Sequence, residues 1–149
     1  MDFYVSEPFR VRFSETDMAG IVHFSQILRW AENAESEFFR KHGLPFVHET
    51  AGTLSGWPRV NIQADFLAPA HYDDCICVRI RPKSLPEAGE SSLCWEFEVL
   101  RIREPSERIL AKGSWVSVYA SIDTKTGKIR AEGKIPEEVK KILKIFKIA

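Results

Sequence analysis

The sequence predicts an α+β domain: an antiparallel five-stranded sheet wrapped around one long helix, with a second helix at the C-terminal end. Three observations predict it. From Phe24 to Phe39 the apolar residues recur at spacings of three and four, the period of a helix. Five other segments show the period-two alternation or β-rich apolar content of strands. Those strands follow one another through short turns instead of alternating with helices, which favours antiparallel pairing over a doubly wound parallel sheet.

The elements follow in chain order. Phe9, Val11 and Phe13 face one way and Arg10 and Arg12 the other, which predicts a half-buried first strand over 9–13. Ser14 to Gly20 is polar and turn-like. Phe24, Ile27, Leu28, Ala31, Ala34, Phe38 and Phe39 form the apolar side of the long helix, and Arg29, Glu32, Glu35, Glu37 and Arg40 mostly fill its polar side. Gly43 and Pro45 end it. The small alanines imply close packing over the helix. Leu44 to Gly56 reads as a mixed connection, and Val60–Leu67 as a strand with Val60, Ile62, Ala64 and Phe66 on one face. Strands are expected over Cys75–Arg81, Ser92–Arg103 and Ile109–Ile122, with Leu93, Trp95, Phe97, Val99 and Arg101 sharing a face of the fourth. From Ile135 to Ile148 the pattern is helical, with Pro136 near the first turn, glutamates after it and lysines at the end, as the helix dipole favours.

The bulk numbers narrow the function classes. The 149 residues suit a single domain over 1–149. With 44% apolar and 28% charged residues and a net charge of zero, nothing points to nucleic acid or to an anionic membrane surface. Met1–Val5 has no signal-peptide pattern and no apolar run has spanning length, so a cytoplasmic protein is expected. Cys75, Cys77 and Cys94 lack partners at metal spacing and read as reduced thiols; no metal site is expected.

The chemistry concentrates in Glu15-Thr16-Asp17-Met18-Ala19-Gly20-Ile21-Val22-His23-Phe24. A carboxylate sits on a glycine-containing turn just ahead of a helix start. Asp17 there suits an Asx turn or cap. It also suits attack on, or activation of water toward, a carbonyl held by the helix-start N–H groups.

Asp17-x-x-Gly20-Ile21-Val22-x-Phe24, followed by Arg29-Trp30 and Glu32, resembles the opening of the hotdog-fold acyl-CoA thioesterases of the 4-hydroxybenzoyl-CoA thioesterase family. Ala64-Asp65-Phe66-Leu67-Ala68-Pro69-Ala70-His71-Tyr72-Asp73-Asp74 and Lys83-Ser84 are similar to later parts of that family, so the resemblance runs over roughly 8–122. It implies a sheet wrapped around the long helix, edge-to-edge homodimers or homotetramers, and a site at the subunit interface. It implies Asp17 as nucleophile or general base, the Phe24 backbone amide as the carbonyl's hydrogen-bond donor, and Gly20 as the residue that permits the turn. Glu32 is placed near the acyl group and Trp57 near the acyl pocket. Arg81, Lys83 and Ser84 fall where coenzyme A phosphates can be held.

The sequence departs from short-chain relatives in one respect. They carry a His where this chain has Phe24; here His23 lies one residue earlier, about 100° around the helix. His23 stands as an acid–base candidate or as a polar residue at the pocket edge. The expected activity is hydrolysis of a short-chain or aromatic acyl-CoA without a cofactor, coenzyme A entering only as part of the substrate. A hydratase or dehydratase acting on acyl thioesters, and a non-catalytic acyl-thioester-binding module, are the alternatives. Whether the acyl carrier is coenzyme A or a carrier protein stays open.

Overall fold

The long helix α1 spans Phe24–Lys41, and Gly43 beyond it adopts φ +69° as a helix-ending glycine does. A computed structural model describes residues 1–131 and 134–148; the remaining three positions of the expected 1–149 domain lie outside the described residues. The strands are β1 (Tyr4–Val5), β2 (Phe9–Arg10), β3 (His48–Thr50), β4 (Thr53–Gly56), β5 (Arg59–Phe66), β6 (Cys75–Pro82), β7 (Ser92–Arg103), β8 (Ser106–Val118), β9 (Ala120–Asp123) and β10 (Ile129–Ala131). A short helix α2, Glu137–Leu143, follows.

The main sheet runs β1-β6-β7-β8-β5 and is antiparallel throughout. It is five positions wide, as expected, but the outer position is shared by β1 and β2, which both pair with β6. Ile76, Val78 and Ile80 of β6 and Leu93, Trp95, Phe97 and Val99 of β7 are buried on the face that α1 covers. Ala31 and Ala34 of α1 are buried in that contact, as their size suggests. Val139 and Leu143 of α2 and Phe146 beyond it join the same core, with Phe146 beside Phe38 and Trp95.

Several expectations are corrected. The first strand stops at Arg10: Phe13 lies in a 3-10 turn, Phe13–Glu15, is 77% exposed and meets the Tyr72 ring edge-on. The expected strand over Ile109–Ile122 is two strands. At Tyr119 the N–H bonds Ser91 O, and the chain leaves the main sheet for a second, four-stranded one, β10-β9-β4-β3. Its β3–β4 hairpin turns through Ala51 and Gly52, both at positive φ. In β7 the register shifts between Val99 and Leu100, so Leu100 rather than Arg101 is buried. On α1, Trp30 and Glu35 are buried, whereas Phe24 is mostly exposed.

Gly113 is a close crossing of β8 by its neighbours. A Cβ there would lie 2.1 Å from Gln63 O and 2.9 Å from Phe97 Cε1. Backbone cannot yield as a side-chain tip can. Gly113→Ala is therefore expected to lower stability by about 2 kcal/mol, seen as a lower denaturant midpoint with the folded-state spectrum retained.

Candidate active site

A narrow hairpin precedes α1. Asp17 N donates to Ile21 O at 2.9 Å, Gly20 N donates to Asp17 O at 3.0 Å, and Thr16 bridges Val22. Gly20 sits at φ +79°, where a side chain would be strained. The Asp17 carboxylate is exposed in the protomer, and its Oδ1 accepts from Ala19 N at 2.8 Å, an Asx turn. Three residues past Ile21 the helix begins.

His23 is the N-cap of α1. Its Nδ1 accepts from Ser25 N at 3.3 Å and lies 2.7 Å from Ser25 Oγ. The next amide, Phe24 N, has no hydrogen-bond acceptor among the described residues, as a first-turn amide is free to do. It is the group that the family resemblance implies for a substrate carbonyl. No metal-holding group of three His, Cys, Asp or Glu occurs among the described residues.

Glu15 ties hairpin to helix, a role the sequence reading missed. Its Oε1 accepts from Arg12 N at 2.8 Å, its Oε2 accepts from Trp30 Nε1 at 2.7 Å, and its carbonyl accepts from His23 N at 3.0 Å. One residue thus fixes the hairpin's entry, the helix cap and a point two turns into α1. A hollow of about 690 Å³ lies beside this bond and is lined by Arg10, Arg12, Asn33 and Glu37 among others.

A second polar centre joins α1 to β5. Glu35 has no exposed surface, and its Oε2 accepts from Arg59 Nη2 at 2.5 Å. Arg59 Nη1 donates to Ser117 Oγ at 2.8 Å and to Trp57 O at 3.2 Å, and the guanidinium lies 5.0 Å over the Trp115 ring. Glu32, 57% exposed, stands 3.6 Å from Arg59 Nη2. Glu35 Oε1 and the indole nitrogens of Trp95 and Trp115 are buried without hydrogen-bond partners among the described residues. Burial pushes the Glu35 carboxyl up to about 7, against the pull of Arg59.

The other sequence candidates separate. Glu32 borders a small cavity of about 120 Å³ with Leu28, Arg59, Ile62, Phe97 and Trp115. Trp57 is buried between Phe39 and Tyr119 and does not border that cavity. Arg81 and Lys83 border a shallow hollow of about 300 Å³ with Lys112; Ser84 is exposed but is not part of its lining. Arg81 Nε donates to Glu96 at 2.8 Å and its guanidinium covers the Phe3 ring, whereas Lys83 makes no salt bridge among the described residues.

A sheet wrapped around one long helix, with an acidic hairpin at the helix start, defines the hotdog class of acyl-thioester proteins. Residues 19–105 match the model of the Thioesterase superfamily, and the chain belongs to that superfamily. It is 30% identical to a 1,4-dihydroxy-2-naphthoyl-CoA hydrolase of Synechococcus sp. (strain WH7803) over 145 residues, 90% of this chain and 84% of that one. It is 32% identical over 95 residues, 59% of this chain, to the protein of that name from Prochlorococcus marinus (strain MIT 9211), and spans only 62% of that relative's length. The crystal structure of an aspartate-to-asparagine variant of 4-hydroxybenzoyl-CoA thioesterase complexed with 4-hydroxybenzoyl-CoA shares the fold. Its TM-score is 0.72 at 22% identity, over 91% of this chain and 96% of that one.

Two outcomes follow from these contacts. Glu15→Gln offers one acceptor where two N–H donors converge, and is expected to cost about 1–2 kcal/mol in chemical denaturation. Because the folded pKa of Glu35 is raised, the folded protein holds a proton that the unfolded chain releases. Its contribution is full below the unfolded pKa near 4.5 and is lost as pH rises through about 7. From about pH 5 to about pH 8 the wild-type melting temperature should therefore fall more steeply than that of Glu35→Gln; parallel slopes would refute the assignment.

Proposed function

We propose that this chain hydrolyses an acyl-coenzyme A thioester, short-chain or aromatic in its acyl part, to the free acid and coenzyme A. The observation that carries the reading is the unpaired Phe24 amide at the start of α1, three residues beyond the turn that presents Asp17. The thioester oxygen takes its hydrogen bond from that amide. The donor is backbone, so the side chain at position 24 is free to vary. Removal of one such donor typically raises a barrier by about 3 kcal/mol.

Asp17 acts as nucleophile or as general base. As nucleophile, its carboxylate bonds to the carbonyl carbon, the C–S bond breaks, and water then cleaves the mixed anhydride. As base, it takes a proton from water as the water oxygen bonds to that carbon. In both routes the departing thiolate gains a proton; in the second the water oxygen ends in the acid, and in the first it does so when water adds to the acyl carbon of the anhydride, which returns the Asp17 carboxylate. No cofactor takes part. His23 serves by capping α1, which holds the Phe24 amide in place, and Gly20 gives the turn its left-handed step.

The site is completed by a second copy of the chain. Met18, Phe24, Phe66, Leu67 and Tyr72 are exposed around the Asp17 turn and the end of β5, and among the described residues β5 pairs on one side only, with β8. An edge strand with that apolar surface invites an edge-to-edge partner. Lys83, with Arg81 and Ser84, takes the coenzyme phosphates at the rim.

Asp17→Asn should keep the fold and the oligomeric state, because the amide oxygen can still accept from Ala19 N. It should lower thiol release from acyl-CoA esters at least about a hundredfold. Unchanged turnover in that variant would end the assignment.

A further inference from the structure

The two groups that the proposed hydrolysis brings to a thioester, the Asp17 carboxylate and the Phe24 amide, stand on different elements. Their separation is set by whatever joins the hairpin to the start of α1. The second arm of the hairpin is well held: Val22 is buried, and its N–H donates to Ala70 O at 2.8 Å. The first arm, which carries Asp17, has less behind it. Arg12 and Glu15 border the hollow of about 690 Å³, and Phe13 is exposed. Between residues 12–17 and α1 there is one hydrogen bond among the described residues, from Trp30 Nε1 to Glu15 Oε2 at 2.7 Å.

Glu15 is fixed at three points, and each bears on one of the two groups. Its Oε1 accepts from Arg12 N and closes the 3-10 turn that begins the arm. Its Oε2 ties the arm to Trp30, a residue 3% exposed whose ring meets Phe9 edge-on at 5.3 Å. Its carbonyl accepts from His23 N, one residue before the Phe24 amide. Asp17 follows Glu15 by two residues and is held across the hairpin through its own N–H on Ile21 O. One residue therefore refers both reacting groups to the same buried indole. Hydrogen bonds to an ionised carboxylate are shorter and stronger than neutral ones. Misplacing a reacting group by about 1 Å costs on the order of a hundredfold in rate.

Resting on the proposed hydrolysis, we infer that Glu15, through its bond to Trp30, is a positioning residue that sets the distance between the Asp17 carboxylate and the Phe24 amide without touching the substrate. The test is steady-state thiol release from the best-cleaved member of a short-chain and aromatic acyl-CoA panel, well below each variant's melting temperature. In Glu15→Gln and in Trp30→Phe, kcat should fall about thirtyfold, with KM within about twofold and the shape of the pH profile kept. The double variant should be within about twofold of the slower single one, because both substitutions remove the same bond. Unchanged kcat in both single variants makes the contact merely structural and overturns the proposal. A slow Glu15→Gln beside a Trp30→Phe enzyme with wild-type kcat also overturns it, as do losses that multiply in the double variant. If Trp30→Phe does not fold, Glu15→Ala takes its place: kcat below that of Glu15→Gln at constant KM supports the proposal, and wild-type kcat overturns it. If the wild type cleaves no ester, the hydrolase reading fails separately, and native-state amide exchange decides the positioning role. About tenfold faster exchange at the Asp17 and His23 N–H groups of Glu15→Gln, with β6 and β7 unchanged, supports it, and equal exchange overturns it.

Discussion

A carboxylate with no exposed surface sits in the middle of the central helix, and much of the architecture around the site answers to it. Glu35 needs a cation in the core, and Arg59 supplies it from the first residue of β5. Removing one partner of such a pair would strand the other charge in a medium that solvates it poorly. The pair therefore fixes where the helix lies along the edge strand. It also brings Ser117 and the face of Trp115 around the guanidinium. The seam between helix and strand runs from the Phe24–Phe66 contact to this pair.

The opposite end of the seam is held by different means. The hairpin carrying Asp17 is anchored by buried Val22 and by hydrogen bonds. Glu15 contributes several of these: its carboxylate joins Arg12 to Trp30 and its carbonyl holds His23. His23 caps α1 with its ring and leaves the amide after it unpaired. Glu15 and His23 thus set the frame, on which Asp17 is exposed and the Phe24 amide has no acceptor among the described residues.

Much of this was legible in the sequence, and what was not has identifiable causes. The helix declared both ends, through the polar hairpin before it and Gly43 after it. The sheet strands β6 and β7 declared themselves by alternation. Glu35 was assigned to the polar side because of its charge, although its spacing of four from Ala31 and from Phe39 places it on the buried stripe. Arg59 was hidden by a bulge: the register of β5 shifts between Arg59 and Asn61, and the extra residue turns Arg59 to the same face as Ile62. Without that shift, alternation sends the arginine outward. The second sheet went unread because its strands are short and polar, and its hairpin turns through Ala-Gly, which is not a standard turn pair. Glu15 carried no signal, since a glutamate in a polar loop is ordinary until its two acceptors are seen meeting two donors.

The placement of the indoles has an optical consequence. All four tryptophans are buried, and Trp95 and Trp115 lie nearly parallel with centroids 6.3 Å apart. Trp115 also carries the Arg59 guanidinium on its face. Trp115 is thus an intrinsic chromophore in the wall of the small cavity beside Arg59, and its share of the native emission registers what lies there with no label attached.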